Sequence, residues 1–293
     1  MPEYFCHEVI PTIIRQTGIK IVYYSDWPGN DDRKTIESLP YQQGDVLFRM
    51  NYFGMRDFRS NINIHIPVIE DHSHDLIGHW ALNSDAEWCI ASLRKSLPLP
   101  EGGMLWSPKG YRIDIDISSS IDNEEIAQIR WDAMFMKRDY LAGKTKEKDA
   151  FRKKYVETEE WFNQSKPSRI DERSRNYIGL LDIKAWNRAK QKNWKKLKGL
   201  IDKEHCEILM PEHNSCTMFS LVILLEDQNL RDKVRRQLIS SSVYPAILWV
   251  VQNDASAEAK DFSSRLLSIH CDGRYTEKDM KLLAEIINQS LKA

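Results

Sequence analysis

The sequence has no apolar run approaching the ~18 residues that a membrane-spanning helix requires, and its start, MPEYFCHEVI, has neither the basic opening nor the long apolar centre of a secretory signal. The expected protein is soluble and cytoplasmic, with no membrane partner. It also lacks an excess of either charge: 42 Lys and Arg against 43 Asp and Glu leave a formal net charge of -1, which gives no global reason to expect nucleic acid as a partner. Paired cysteines are missing. The five present, Cys6, Cys89, Cys206, Cys216 and Cys271, are odd in number, scattered and without a CxxC, a pattern of reduced thiols and not of a disulfide framework. No GxSxG elbow, GxGxxG or P-loop occurs, so nucleotide-dependent phosphoryl transfer has no sequence support. Repeats and low-complexity tracts are absent as well.

What is present reads as strands alternating with helices. At 293 residues the chain is long enough for one large domain or for a large and a small one. Tyr4, Val9, Ile10, Ile13 and Ile14 have roughly helical spacing closed by Gly18, which predicts a short helix. IKIVYY (19–24), DVLFRMNYFG (45–54), INIHIPVIED (62–71) and WCIASL (88–93) read as strands, with GGMLWS and YRIDIDI (111–117) as a returning pair near the sheet edge. Such Val- and Ile-rich runs argue for an α/β fold: a mostly parallel sheet covered on both faces, with the ligand at the C-terminal strand ends. From Ser120 the pattern predicts a helix ending near Gly143, followed by a charged amphipathic helix over 144–164. SKPSRIDERSR is polar and contains Pro167, so it is the candidate linker between a domain at 1–166 and a second at 167–293. The second domain is predicted to open with one long helix, YIGLLDIKAWNRAKQKNWKKLKGLI, with basic residues opposite its apolar stripe. A compact α+β unit follows: strand MFSLVILL, helix DQNLRDKVRRQLISSS, strand VYPAILWVV and two closing helices.

The chemistry concentrates between residues 65 and 104. Asp71 ends one apolar run, and Lys95 is read as ending the next at a strand end, with Gly102 and Gly103 close behind. A lysine amine forms Schiff bases with carbonyl compounds when burial or a cationic neighbour such as Arg94 lowers its pKa. A carboxylate facing a pyridine nitrogen keeps that nitrogen protonated and makes the cofactor an electron sink. Alone, a lysine is most often a surface residue, and an aspartate at a strand end is as often a cap or turn residue. Together, on consecutive strands, they are less easily dismissed. A competing reading is a metal-dependent hydrolase at His72, His74 and His79, close to Asp71 and Asp75, with Cys89 the only nearby thiol.

VIEDHSHDLIGH followed by ASLRKSLPLPEGGM resembles the cofactor core of the DegT/StrS family, pyridoxal-phosphate-dependent sugar aminotransferases of the aspartate aminotransferase fold, fold type I. PEYFCHEVI and VLFRMNYFG resemble parts of that family's large domain, AWNRAKQKNWKKL its passage into the small domain, and the final unit the small domain itself. The resemblance implies pyridoxal phosphate as cofactor, a homodimer, and transfer of an amino group from an amino acid to a keto sugar, nucleotide-linked, for surface polysaccharide biosynthesis. It further implies that Lys95 holds the internal aldimine and serves as base for the 1,3-proton shift, and that Asp71 pairs with the pyridine nitrogen. His74 stands where the family has a glutamine touching the cofactor's phenolic oxygen. Ser92 would contact the cofactor phosphate, and Asn176 the phosphate of the neighbouring subunit. Family members carry a phosphate-binding segment upstream of PEYFCHEVI that this sequence does not contain. A truncated large domain with impaired catalysis is therefore expected, and the alternative is a non-catalytic binding or oligomerisation protein of the same fold.

Overall fold

The computed structural model describes residues 1–58, 62, 64–115 and 117–292. The chain enters through a 3-10 turn at His7–Val9 into α1 (Ile10–Thr17). Gly18 ends that helix in the left-handed region (φ 68°), its N–H bonded to the Ile14 carbonyl. After α2 (Asp32–Glu37), capped by the Asp31 carboxylate, come β1 (Leu47–Met50), β2 (Val68–Asp71), α3 (His79–Asn83), β3 (Trp88–Ser92), α4 (Leu93–Ser96) and β4 (Gly103–Trp106). These strands form a sheet in the order β1-β2-β3-β4. β1, β2 and β3 run parallel and β4 returns antiparallel. The fold is therefore α/β with a mostly parallel sheet, and GGMLWS supplies the returning edge strand.

Four helices follow: α5 (Ile121–Leu141), α6 (Asp149–Gln164), α7 (Glu172–Leu180) and α8 (Ile183–Leu200). The C-terminal portion is α+β. It contains β5 (Glu207–Ile208), β6 (Leu221–Leu224), α9 (Gln228–Ser240), α10 (Ala257–Arg265), β7 (Leu266–Ile269) and α11 (Glu277–Lys292), with a three-stranded antiparallel sheet in the order β5-β6-β7. One core joins the two ends of the chain: Tyr4, Phe5, Ile10, Met50, Tyr52 and Phe53 pack with Trp194, Leu197 and the residues of β6, β7 and α11. A second core sets Leu76, Ala91, Leu93, Leu97 and Leu99 against Trp131 of α5, with Ile178 of α7 and Trp186 of α8 packed on it.

Several strand-like runs are not strands. IKIVYY makes only an isolated bridge between Tyr24 and Pro2 among the described residues, carried by the Tyr24 N–H to the Met1 carbonyl and the Glu3 N–H to the Tyr24 carbonyl. Its Val22 is 66% exposed. INIHIPVIED pairs only from Val68 onward, after Pro67, and Asn63 lies outside the described residues. Residues 111–115 and 117 of YRIDIDI are irregular, with Asp116 outside the described residues. VYPAILWVV, interrupted by Pro245, reaches β7 only through a bridge at Ala246, whereas the run LLSI, inside the expected closing helices, is β7. The long helix after the linker is two. Asp182 stops the first and caps the second by accepting from the Ala185 N–H at 2.8 Å, since an aspartate at that position serves orphan helix amides better than a helix interior.

Past β1 the chain turns sharply at Tyr52–Gly54, with Phe53 at φ 52° and Gly54 at φ 67°. A Cβ on Gly54 would lie 2.2 Å from the Thr217 carbonyl oxygen and 3.1 Å from that of His74. Glycine is required here on both counts, and the close approach sets the chain at Thr217 and the loop after β2 against this turn.

Candidate active site

Three of the residues singled out from the sequence, Asp71, His74 and Lys95, lie at or just past the ends of β2 and β3. Asp71, the last residue of β2, is 6% exposed, and its Oδ1 accepts the Ser73 N–H at 2.8 Å. This aspartate turn reverses the chain out of the sheet. The turn is then fastened to the next strand: the Ser92 N–H donates to Ser73 Oγ at 2.9 Å, and Ser96 Oγ donates to the Ser73 carbonyl at 2.7 Å. Lys95 therefore sits in α4 and not at a strand end, because the backbone turns helical at Leu93. Its Nζ lies 5.5 Å from the centroid of the Trp249 ring, a cation–π contact. Ser92, half-buried, keeps its hydroxyl out of the described hydrogen bonds. Asn176 is exposed on α7, with no described hydrogen bond to the other four residues.

His74 is buried among parallel rings: Phe219 at 4.3 Å, Trp249 at 5.5 Å and Phe53 at 5.6 Å between centroids. Its Nδ1 accepts the Phe53 N–H at 3.1 Å, so the neutral ring carries its proton on Nε2. That Nε2 is buried without a hydrogen-bond partner. Burial holds the imidazole well below its ordinary pKa, and the charges of Lys95 and Lys190 act in the same direction. The result is a neutral histidine offering a fixed N–H donor. A depressed folded-state pKa means that the unfolded chain takes up the proton more readily. The associated stability is present above the ordinary histidine value of 6.5 and is lost as the pH falls below it.

Beneath the site lies a buried ionic network for which sequence reading gave no forecast. Arg49 on β1 reaches Asp32 at 3.1 Å and Glu70 at 3.2 Å. Arg56 holds Asp26 through both terminal nitrogens, at 3.0 and 2.6 Å, and lies 3.6 Å from Asp32. Asn51 accepts the Arg56 N–H at 2.9 Å and donates to Asp75 Oδ2 at 2.7 Å. Its sequence signal was available: Arg49 and Glu70 are charged residues inside apolar runs, and they are register partners across β1 and β2.

His72 belongs to this network, its Nδ1 2.9 Å from Asp75 and its Nε2 3.1 Å from Glu70. Burial opposes its charge, but Asp75, with Cys89 and Glu70, outweighs burial and raises its pKa well above the ordinary value. A raised folded-state pKa contributes stability that is fully present below 6.5 and lost as the pH rises toward the folded value. In His72→Gln, the stability deficit relative to wild type, read from urea midpoints, is therefore expected to shrink from about pH 6 to about pH 9. A deficit that grows over that window would contradict the assignment of a charged His72.

These partners also dissolve the trio of histidines as a metal centre. His72 is taken by two carboxylates and His74 by a backbone amide, while His79 turns outward to Asp57 at 2.6 Å. Among the described residues, the side chains whose ligand atoms come within 4.8 Å of one another are Glu70, His72 and Cys89, and, separately, Asp202, Glu204 and His205. The first group is already knit by hydrogen bonds, with Glu70 Oε2 also accepting from Trp80 Nε1 at 3.0 Å and Ser84 Oγ at 2.6 Å. Among the described residues no helix is long and apolar enough to cross a membrane.

No protein-family model matches the chain, and no curated protein matches it. Solved structures do. Spr1654 of Streptococcus pneumoniae, described as a sugar aminotransferase and solved in its pyridoxal-phosphate form, superposes with a TM-score of 0.66 at 11% identity, over 99% of this chain and 80% of that one. PseC of Helicobacter pylori, an aminotransferase involved in the biosynthesis of pseudoaminic acid, gives 0.64 at 11% identity over 99% and 79%. The GDP-4-keto-6-deoxy-D-mannose-3-dehydratase of E. coli, with bound hydrated pyridoxal phosphate, gives 0.62 at 13% identity over 98% and 78%. At such identities the likeness is one of fold.

Proposed function

We propose that this chain is a pyridoxal-phosphate-dependent aminotransferase of the DegT/StrS kind, which moves an amino group from an amino acid to a keto sugar and works as a homodimer. The observation that carries the reading is the buried, unpartnered Nε2–H of His74, stacked on the Trp249 ring that Lys95 also faces, just past the ends of β2 and β3, where Asp71 closes β2. That arrangement stands on a fold whose solved examples include pyridoxal-phosphate forms. A buried donor without a partner is costly, and a cofactor oxygen would satisfy it.

When bound, pyridoxal phosphate supplies the electron sink that makes amino-group transfer possible. The chain's own residues divide the remaining work. Lys95 would provide the amine that holds the cofactor, and the base for a proton beside it. Asp71, with Oδ1 committed to Ser73, keeps the proton on the pyridine nitrogen. His74, whose Nε2–H has no partner, would donate it to the phenolic oxygen, and the Ser92 hydroxyl would serve the phosphate. Asn176, exposed on α7, would be free to reach the phosphate held by the second subunit. A large domain to residue 166 and a small domain from 167 frame the site. The named substrate of the E. coli dehydratase is a nucleotide-linked keto sugar, which supports that substrate class here.

The half-reaction tests the reading without knowledge of the sugar. Loaded with pyridoxal phosphate and given an L-amino acid alone, the chain is expected to release a stoichiometric amount of the matching 2-oxo acid. A loaded chain that releases none across the common amino donors is the non-catalytic member of the fold.

A further inference from the structure

β4 is an edge strand without the usual safeguards. It closes the sheet order, and its residues GMLW include none of the charges or prolines that blunt natural edges. Met104 and Leu105 are consecutive and so point to opposite faces, yet they are 41% and 48% exposed. After a turn at 107–110, closed by the Gly110 N–H on the Ser107 carbonyl at 3.1 Å, the chain runs back along this strand. Tyr111 stands against Trp88, at 6.3 Å between ring centroids, beside the register pair Cys89 and Trp106. At the other end Ile117 lines one cavity with Gly102 and Gly103.

Between these two anchors the run YRIDI (111–115) is open to solvent: all of its residues are exposed, with Tyr111, Ile113 and Ile115 at 53%, 47% and 53%. Among the described residues, Arg112, Ile113 and Asp114 have no hydrogen bond or ion pair through backbone or side chain. An apolar residue at every second position, with charged residues between, is the pattern of a strand with one face to bury. The order of the residues says what would cover it. Set antiparallel against a second copy with Ile113 on the two-fold axis, the run places Arg112 opposite the partner's Asp114 and Asp114 opposite the partner's Arg112. Tyr111 then faces the partner's Ile115, and Ile113 faces its own copy. The apolar pairs share one face and the ion pairs the other, and both kinds of cross-strand pair are stabilising. Moving the axis to Arg112 or to Asp114 sets like charges opposite each other, and an axis between residues sets charges against apolar side chains. The run is self-complementary in one register.

We propose that the run 111–115, lying along the edge of β4, is the surface by which two copies of this chain pair, antiparallel and edge to edge about Ile113. Of the aminotransferase reading the surface shares the homodimer alone. It is tested without cofactor, so its failure leaves the chemistry at Lys95 standing, and failure of that chemistry leaves the surface standing. The contact is smaller than the ~1,600 Å² of a standard interface, so the dimer is expected to dissociate on dilution, with a Kd on the order of micromolar. Sedimentation equilibrium of the full chain across that range is expected to show monomer and dimer and nothing larger, because a two-fold contact closes on itself. Arg112→Asp and Asp114→Arg each set like charges opposite at both ion pairs, and each is expected to weaken association at least ~10-fold. Both positions are exposed, so the far-UV circular dichroism of the variants should match wild type. Mixed in equal amounts, the two variants are expected to associate with each other about as wild type does, since the acids of one then face the arginines of the other. The double swap Arg112→Asp, Asp114→Arg is expected to recover self-association for the same reason. In wild type the amides of 112–114 should gain hydrogen-exchange protection as the concentration rises, a readout that needs no variant. A wild type that stays monomeric, species that grow beyond the dimer, single variants that dimerise as wild type does, or a mixture that fails to recover would each overturn the proposal.

Discussion

Lys95→Ala is expected to abolish amino-group transfer while leaving the fold intact. Lys95 is the last-turn residue of a four-residue helix, half-buried, and its one described contact is the face of Trp249. Removing an exposed-side cation–π contact costs about 0.5–1 kcal/mol, too little to unfold a domain of this size. The catalytic loss is of another order. Loss of the covalent residue from a set that acts as a unit lowers turnover by a factor on the order of 10⁶. Lys95→Arg is expected to be as inactive, because a guanidinium stays protonated and does not form a Schiff base. The two measurements are steady-state transamination and a urea denaturation curve. Residual activity within tenfold of wild type would remove Lys95 from the centre of the mechanism.

Arg56→Met carries the largest expected cost to stability. Burial works against the Arg56 charge, and Asp26 and Asp32 outweigh it, so the guanidinium is the counter-ion of two buried carboxylates. It also donates to the carbonyls of Trp27 and Asn30, at 2.9 and 3.1 Å. Removing one partner from such a network strands a buried charge and costs about 3–5 kcal/mol. The loss should fall with the pH at which Asp26 protonates, and the double variant Arg56→Met, Asp26→Asn should recover part of it. The coupling between the two positions, obtained from a double-mutant cycle in urea, checks this. Additive effects would mean that the clamp does not hold the loop as described. The network has a functional consequence, because Asn51 ties the Arg56 backbone to Asp75 and so positions the turn that carries His74.

The fold and the site were legible in the sequence to different depths. Val- and Ile-rich runs revealed the sheet because strands buried on both faces read as largely apolar runs, and Asp71 and Lys95 stood out as candidates because ligands of such sheets sit at the C-terminal strand ends. IKIVYY misled because its composition suits a strand, while pairing depends on a neighbour that only the tertiary fold supplies, here Pro2. β7 escaped notice because three apolar residues and a serine directly after a helix do not break its periodicity. The turn that carries Lys95 into α4 is fastened to Ser73 by the Ser92 N–H and the Ser96 hydroxyl, contacts that no periodicity encodes. Lys190 was hidden by its surroundings: among the many lysines of AWNRAKQKNWKKL, nothing local marks the one that shares the inward face with Trp194 and Leu197. The unpartnered Nε2 of His74 likewise follows from the Phe53 amide, whose turn is set by Gly54 and the chain at Thr217.

The most direct test of the central claim is a peptide map of the wild-type chain after reconstitution with pyridoxal phosphate and borohydride reduction. The account predicts a phosphopyridoxyl mass on the peptide containing Lys95 and on no other, with the mark lost in Lys95→Ala. A mark on a different lysine, Lys190 included, or the absence of any mark at saturating cofactor, would contradict it.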